Sequence, residues 1–258
     1  MRLMKRILSA AAVLALSASL LVGCSSGTAS SVPVSASSAA ESTVSSVEET
    51  ASSAVDENEA AAAQLLNDLT GSYQELWPVI LADEYKQTWL DDCTALVGED
   101  NAEAAFEKLS SMVTGDVYGE DAVKAYANGG GAYFCGFTNS LATLTFDGET
   151  STISGTDKDG NVLFSHTYHY IGMEPVHGLY EFQSDDADSG EFTYFFLAPD
   201  TSAETYHIEF RYGSDAEALS QYDAGKYAYW LASGISTDCD QTMIDNCIEL
   251  FCTENLAG

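Results

Sequence analysis

The first half of the chain carries apolar residues at helical spacing. From Asp83 to Met112 they recur near every third or fourth position with a break at Gly98, which predicts two helices with one apolar face each. Shorter helical segments are predicted before them, over Ala60–Leu66 and Ser72–Pro78. The run from Asn128 to Gly131 is one asparagine followed by glycines, and it predicts the end of the helical half.

From Ala132 the pattern changes to short runs of aromatic and β-branched residues. Asp147-Gly148 and Asp159-Gly160 between them are typical hairpin turns. The predicted strands are Ser140–Phe146, Thr150–Gly155, Val162–Ile171, Gly178–Gln183, Glu191–Leu197 and Thr205–Tyr212. Sequential antiparallel strands need closure or a covering layer to hide their edges. We therefore predict a mainly β protein, a small antiparallel β-barrel with accessory N-terminal and C-terminal helices.

The last predicted element is a helix from Asp240 to Thr253. Its apolar residues share one helical face: Met243, Ile244, Cys247, Ile248 and Phe251. Either Asp238 or Asp240 is available as the N-cap, because a carboxylate there accepts a hydrogen bond from a free backbone N–H of the first turn. We expect the apolar face to pack against the barrel.

The N-terminus has the three parts of an export signal. Arg2, Lys5 and Arg6 precede an apolar run from Ile7 to Val22, and small residues follow. The tetrapeptide Leu21-Val22-Gly23-Cys24 resembles the lipobox of bacterial lipoproteins, in which cleavage falls before the cysteine and the thiol takes a lipid. This predicts a signal peptide over residues 1–23 and a lipid anchor, palmitate included, on Cys24. The protein would then sit at the extracytoplasmic face of the cell membrane.

Residues 24–60 are mostly Ser, Ala, Val, Thr and Glu and include no aromatic residue. Such a segment cannot bury enough apolar surface to offset its ordering entropy, so we predict a disordered tether. The remaining residues, 61–258, have the length of one domain. Nothing in them is long and apolar enough to predict a membrane-spanning helix.

Acidic residues dominate the charge of the chain. The formal net charge is −31, and removal of residues 1–23 takes away three basic and no acidic residues, which leaves −34. This charge argues against nucleic acid as a partner and favours cations. Plain solubility explains it equally well.

Five cysteines remain when Cys24 carries lipid: Cys93, Cys135, Cys239, Cys247 and Cys252. An exported protein can form disulfides, but an odd number cannot be fully paired within one chain. No CxxC or CxxxC spacing indicates a redox or zinc-thiolate site, and the spacing predicts no particular bridge.

All four histidines fall in the predicted β half, namely His166, His169, His177 and His207. In the strand from Tyr206 to Tyr212, alternation puts His207, Glu209 and Arg211 on one face. Imidazole and carboxylate are both good zinc ligands, but zinc needs at least one more. The strand pattern alone favours a solvated face, and strand histidines more often make hydrogen bonds than bind metal.

Motifs of common enzymes are absent from the sequence. It has no Gly-x-Ser-x-Gly elbow, phosphate-binding loop, dinucleotide fingerprint or His-Glu-x-x-His. No acid and base pair can be nominated from spacing. We expect a binding protein and not an enzyme.

Two segments together resemble the ZinT (YodA) family of extracytoplasmic zinc-binding proteins. The first is Leu66-Asn67-Asp68-Leu69-Thr70-Gly71 with Gln74, Trp77 and Pro78, similar to the family's opening L-x-D-x-x-G-x-x-Q-x-x-aromatic-P. The second is Phe196-Leu197-Ala198-Pro199 with His207-Ile208-Glu209-Phe210-Arg211-Tyr212-Gly213, similar to the family's H-I-I-A-P loop and H-x-H-x-x-x-G strand. Lys226-Tyr227-Ala228-Tyr229-Trp230 stands where the family has an aromatic segment before its last helix.

The resemblance implies a lipocalin-like (calycin) barrel with a zinc site of three histidines near the barrel mouth. His207 matches the first histidine of H-x-H, and Glu209 stands at the second as an oxygen ligand. Phe195 stands where the family has its remaining histidine and cannot bind metal. We expect His169 or His177 to replace it from a neighbouring strand.

The function predicted from these observations is extracytoplasmic binding of Zn²⁺ or a similar divalent cation. Its purpose would be capture, buffering or delivery to a metal ABC transporter. The first alternative is a metal-free barrel that binds an apolar small molecule or lipid in its lumen. The second is a surface interaction module held out on the tether.

Overall fold

The computed structural model describes residues 57–198 and 207–257. The predicted signal peptide, Cys24 and nearly all of the predicted tether lie outside these residues. Within them, no helix combines the length and the apolar character that crossing a membrane requires.

Eight antiparallel strands close into a barrel, each paired with the next along the chain and the last with the first. They are β1 (Gly71–Glu75), β2 (Thr143–Asp147), β3 (Thr152–Thr156), β4 (Val162–Met173), β5 (Tyr180–Ser184), β6 (Tyr194–Leu197), β7 (His207–Gly213) and β8 (Ala232–Ser236). Full closure leaves no free sheet edge. The predicted lipocalin-like antiparallel barrel is confirmed, and the six predicted strands correspond to β2 to β7.

Helices flank this barrel. They are α1 (57–68), α2 (Leu76–Ile80), α3 (Lys86–Val97), α4 (Glu99–Val113), α5 (Glu120–Ala125), α6 (Ala216–Leu219) and α7 (Gln241–Leu256). The predicted break at Gly98 is confirmed, since this residue separates α3 from α4 with a φ of +84° that favours glycine. The start of α1 lies within the end of the predicted tether, at residues 57–60.

Two strands differ from the sequence prediction. The segment from Ser72 to Glu75 was predicted as helix but is strand, because Tyr73 pairs with both Leu144 of β2 and Ser236 of β8. Strand β8 was not predicted. Its sequence is Ala-Ser-Gly-Ile-Ser, in which Ile235 is the one residue of a type that signals a strand.

Strand β7 is buried along its whole length, on both faces. Directly paired residues point to the same side of a sheet, and Phe195 pairs with Tyr212 while Phe210 pairs with Leu197. These side chains fill the barrel lumen, where Phe195 stacks on Tyr212 with ring centroids 5.3 Å apart. The odd-numbered residues of β7 therefore face outward. They are not solvated, since helices cover this face.

Helix α7 begins after Asp240, whose side chain accepts a hydrogen bond of 3.0 Å from the backbone N–H of Met243. The sequence left Asp238 and Asp240 as equal candidates for this N-cap, and the structure selects Asp240. We expect Asp240→Ala to lower the free energy of unfolding by about 1 kcal/mol in urea denaturation. Asp238→Ala is the matched control and should change it by less than about 0.5 kcal/mol. Equal losses in the two variants would contradict this assignment.

Candidate metal centre

His207 and Glu209 lie side by side on the outer face of β7. They are two residues apart on β7. In the neighbouring strand β8, His207 pairs with Ile235 and Glu209 pairs with Ser233. Each side chain is only about one-twentieth exposed, at 4%. An imidazole and a carboxylate are thus placed together in an apolar layer, where polar groups are costly to bury.

Helices α2 and α7 cover this pair. Strand β1 passes directly into α2, which brings Leu76, Trp77 and Ile80 over β7, and the apolar face of α7 contributes Cys247 and Phe251. The rings of Trp77 and Phe251 meet edge to face at 4.8 Å and join the two helices.

A small cavity separates the pair from this cover. It is lined by His207, Glu209, Cys247 and the apolar side chains of α2 and α7. Its volume is about 10 Å³, on the order of what one water molecule needs. The cavity therefore has room for a single small particle and not for an organic ligand.

Two buried thiols lie close to the Glu209 carboxylate. Burial raises the pKa of Cys247 to about 12, and the negative charges of Glu209 and Cys239 add to the shift. Burial, with a further contribution from the charge of Glu209, likewise raises the pKa of Cys135. Both thiols keep their protons at neutral pH. The sequence placed Cys247 on the apolar face of a helix, and only the packing of α7 on β7 shows that it lines the cavity.

The donor types around the cavity suit zinc, which binds imidazole, carboxylate and thiolate. Their arrangement does not amount to a complete site. Within residues 57–198 and 207–257, no three or more His, Cys, Asp or Glu side chains are grouped so that they could hold a metal ion. The described residues therefore offer the pair His207 and Glu209 and no third converging ligand.

The two histidines predicted as replacement ligands do not line this cavity. His169 lies on β4 with its side chain half exposed, and its Nδ1 is 2.6 Å from Asp185 Oδ1. His177 is buried elsewhere, with its ring 4.0 Å from the ring of Tyr222. The structure brings neither together with His207 and Glu209 in a metal-binding group.

Phe195 also differs from what the family resemblance implies. It points into the lumen, whereas His207 and Glu209 point out of it. A histidine at this position would therefore face away from the pair. Position 195 therefore differs from the family's remaining zinc-binding histidine in the direction of its side chain as well as in residue type.

Arg211 is the third polar residue on the outer face of β7, and it is fully buried. Its guanidinium donates hydrogen bonds to the backbone carbonyls of Leu219, Gln221 and Tyr227. It also lies over the ring of Tyr222, 4.2 Å from the centroid. These contacts fix the segment from α6 to Tyr227 against the barrel, so Arg211 has a structural role.

Fold and site together define a helix-covered antiparallel β-barrel with a buried histidine–glutamate pair on its outer face. Among solved structures, the Zn(II)-bound ZinT-like domain of Streptococcus pneumoniae AdcA is similar over 70% of this chain and 87% of that chain, with 14% identity and a TM-score of 0.44. Zn(II)-bound AdcA from the same organism is similar over 70% of this chain, with 15% identity and a TM-score of 0.40. This chain spans 34% of the length of that second structure.

Comparison with protein-family models gives no match, and comparison with curated proteins gives none either. The structural likenesses are weak by both identity and TM-score. The functional assignment of this chain therefore depends on its own residues.

The opposite orientation of Phe195 and His207 can be tested by Phe195→His. We expect zinc affinity within about twofold of the parent protein, because the new imidazole lies in the lumen. We also expect a loss of stability comparable to removal of a buried aromatic ring, about 3 to 5 kcal/mol. Zinc titration and urea denaturation measure the two effects. Binding tightened tenfold or more would show that positions 195 and 207 share one face.

Proposed function

We propose that this chain is a membrane-tethered extracytoplasmic protein that binds Zn²⁺ or a similar divalent cation. The observation that carries the proposal is the burial of His207 and Glu209 together beside a cavity of about 10 Å³. Imidazole and carboxylate are ligand types that zinc, copper and similar ions accept. The protein binds its ion and is not an enzyme.

Two protein ligands hold an ion less tightly than a closed structural site with four. The closed cavity has room for a single small particle, so water or a group from another molecule would complete the coordination only once α2 or α7 moves aside, and the ion stays exchangeable. Exchangeable binding suits capture, buffering or delivery, and a metal ABC transporter is the expected recipient. The formal net charge of the full chain, −31, attracts cations toward the protein.

Attachment to the membrane rests on the sequence. The basic start, the apolar run and Leu21-Val22-Gly23-Cys24 support export followed by lipidation of Cys24. The Ser- and Ala-rich residues after Cys24 would let the barrel stand off the membrane surface. The protein would then meet cations before they reach the bilayer.

Equilibrium titration of the unlipidated chain from Ser25 to Gly258 with Zn²⁺ tests the proposal. We expect a dissociation constant in the micromolar range or tighter, weakened at least tenfold in a His207→Ala, Glu209→Ala double variant. Tenfold corresponds to about 1.4 kcal/mol of binding free energy.

His169→Ala is the matched control, since it removes an exposed histidine that does not line the cavity. Its affinity should stay within about twofold of the parent. A Cys247→Ser variant shows whether the thiol at the cavity wall contributes as well. Indistinguishable binding by the parent and the double variant would refute the proposal.

A second candidate function is binding of an apolar small molecule, but outside the barrel. Among the described residues, aromatic side chains pack against one another in the lumen, so we place this ligand outside it. A separate cleft of about 330 Å³ lies between α2, the end of α4 and the segment 134–136. Trp77, Pro78, Leu81 and Phe134 are among the side chains that line it. Its volume is within the range of small-molecule sites.

This second function predicts saturable binding of an uncharged apolar dye such as Nile red. Leu81→Trp fills part of the cleft and should weaken dye binding at least tenfold. Leu96→Trp is the control, because Leu96 lies exposed on α3 and does not line the cleft. Fluorescence titration measures both. Equal binding by the two variants would place the dye elsewhere and exclude this cleft.

A further inference from the structure

Two buried cysteines face each other between α3 and α7. The Sγ atoms of Cys93 and Cys252 are 3.9 Å apart, and both residues are fully buried. In the structure both are free thiols. They are 159 positions apart in the chain, so only the docking of α7 on α3 brings them together.

Large aromatic side chains fix this docking. Trp89 lies one helical turn before Cys93, and its ring meets Phe251, the neighbour of Cys252, at 5.9 Å. Trp89 also packs against Phe106 of α4 with ring centroids 5.6 Å apart. The two thiols are thus held opposite each other by contacts that do not depend on sulfur.

Like charges oppose the same docking. Burial raises the pKa of the Asp92 carboxyl on α3, and the charges of Glu249 and Asp245 on α7 add to this shift. The interface between the helices therefore brings carboxylates together with no cation among the groups that perturb Asp92. A covalent link across the interface would offset this repulsion.

We propose that Cys93 and Cys252 form a disulfide in the exported protein. An S–S bond is about 2.05 Å long, so the sulfurs must approach by roughly 2 Å, a distance within reach of side-chain rotation. The proposal is independent of metal binding. It assigns a partner to two of the five cysteines, which the sequence alone could not do.

The reaction is a thiol–disulfide exchange with an extracytoplasmic oxidoreductase in its disulfide form. The two thiols lose two protons and two electrons, one S–S bond forms, and the oxidoreductase disulfide is reduced to a dithiol. Burial raises the pKa of both thiols, and the thiolate is the reactive form. Exchange therefore occurs during folding, before α7 closes over the pair.

The bridge would hold α7 in place over β7. Helix α7 carries Cys247 and Phe251, which form one wall of the small cavity beside His207 and Glu209. A disulfide that closes so long a loop mainly restricts the unfolded chain. We expect its loss to lower the thermal midpoint by about 5 to 15 °C.

The test uses the full chain, exported by a bacterial host that has an extracytoplasmic thiol oxidase. The protein is denatured without reductant, its free thiols are alkylated, and disulfide-linked peptides are identified by mass spectrometry. We expect a linked pair containing Cys93 and Cys252, with Cys135, Cys239 and Cys247 alkylated. Alkylation of both Cys93 and Cys252, or pairing of either with another cysteine, overturns the proposal.

Two variants make the assignment unambiguous. In a Cys239→Ser, Cys247→Ser protein, Cys252 is the one cysteine left in the C-terminal region, and the link to Cys93 should persist. Cys93→Ser should abolish the link. Because this variant could fold poorly, the thermal midpoint is also measured on the parent protein before and after reduction. An unchanged midpoint on reduction, with a link present, would refute the stabilising role.

Discussion

Burial of β7 on both faces is the constraint on which the rest of this structure depends. Its alternating sequence would ordinarily leave one face in water. Here Phe210 and Tyr212 fill the lumen, while the outward residues lie under helices and loops. Polar side chains in such a layer need compensation. Arg211 finds it in three backbone carbonyls, and His207 and Glu209 lie beside a cavity of water size.

This packing decides where ligand chemistry can occur. Among the described residues, aromatic rings occupy the lumen, the position where lipocalin-like barrels often hold ligands. The candidate metal centre lies instead between the sheet and its covering helices. Phe195 shows the consequence, because a position that the family resemblance equates with a ligand is part of the core of this protein.

The sequence predicts those features that depend on local signals. Hairpin turns at Asp147 and Asp159, the glycine at position 98 and a carboxylate before α7 each act within a few residues, and all are present in the structure. The errors have a different origin. Strand β1 exists because two distant strands pair with it, and every residue of β8 except Ile235 is small. The proximity of Cys247 to Glu209 likewise depends on tertiary packing, because no local sequence pattern indicates which face of the barrel α7 covers.

Helix α7 connects stability with access to the candidate site. It packs on α3 through Phe251 and Trp89 and presents Cys247 to the cavity. Because His207 and Glu209 are almost wholly buried, a cation could reach them from solvent only when α2 or α7 moves away locally. The free energy of that local opening would lower the apparent affinity of the proposed site, since only the opened fraction could take up an ion. A contact that tightens α7, as the proposed bridge from Cys252 to Cys93 would, therefore reduces the opened fraction and slows uptake.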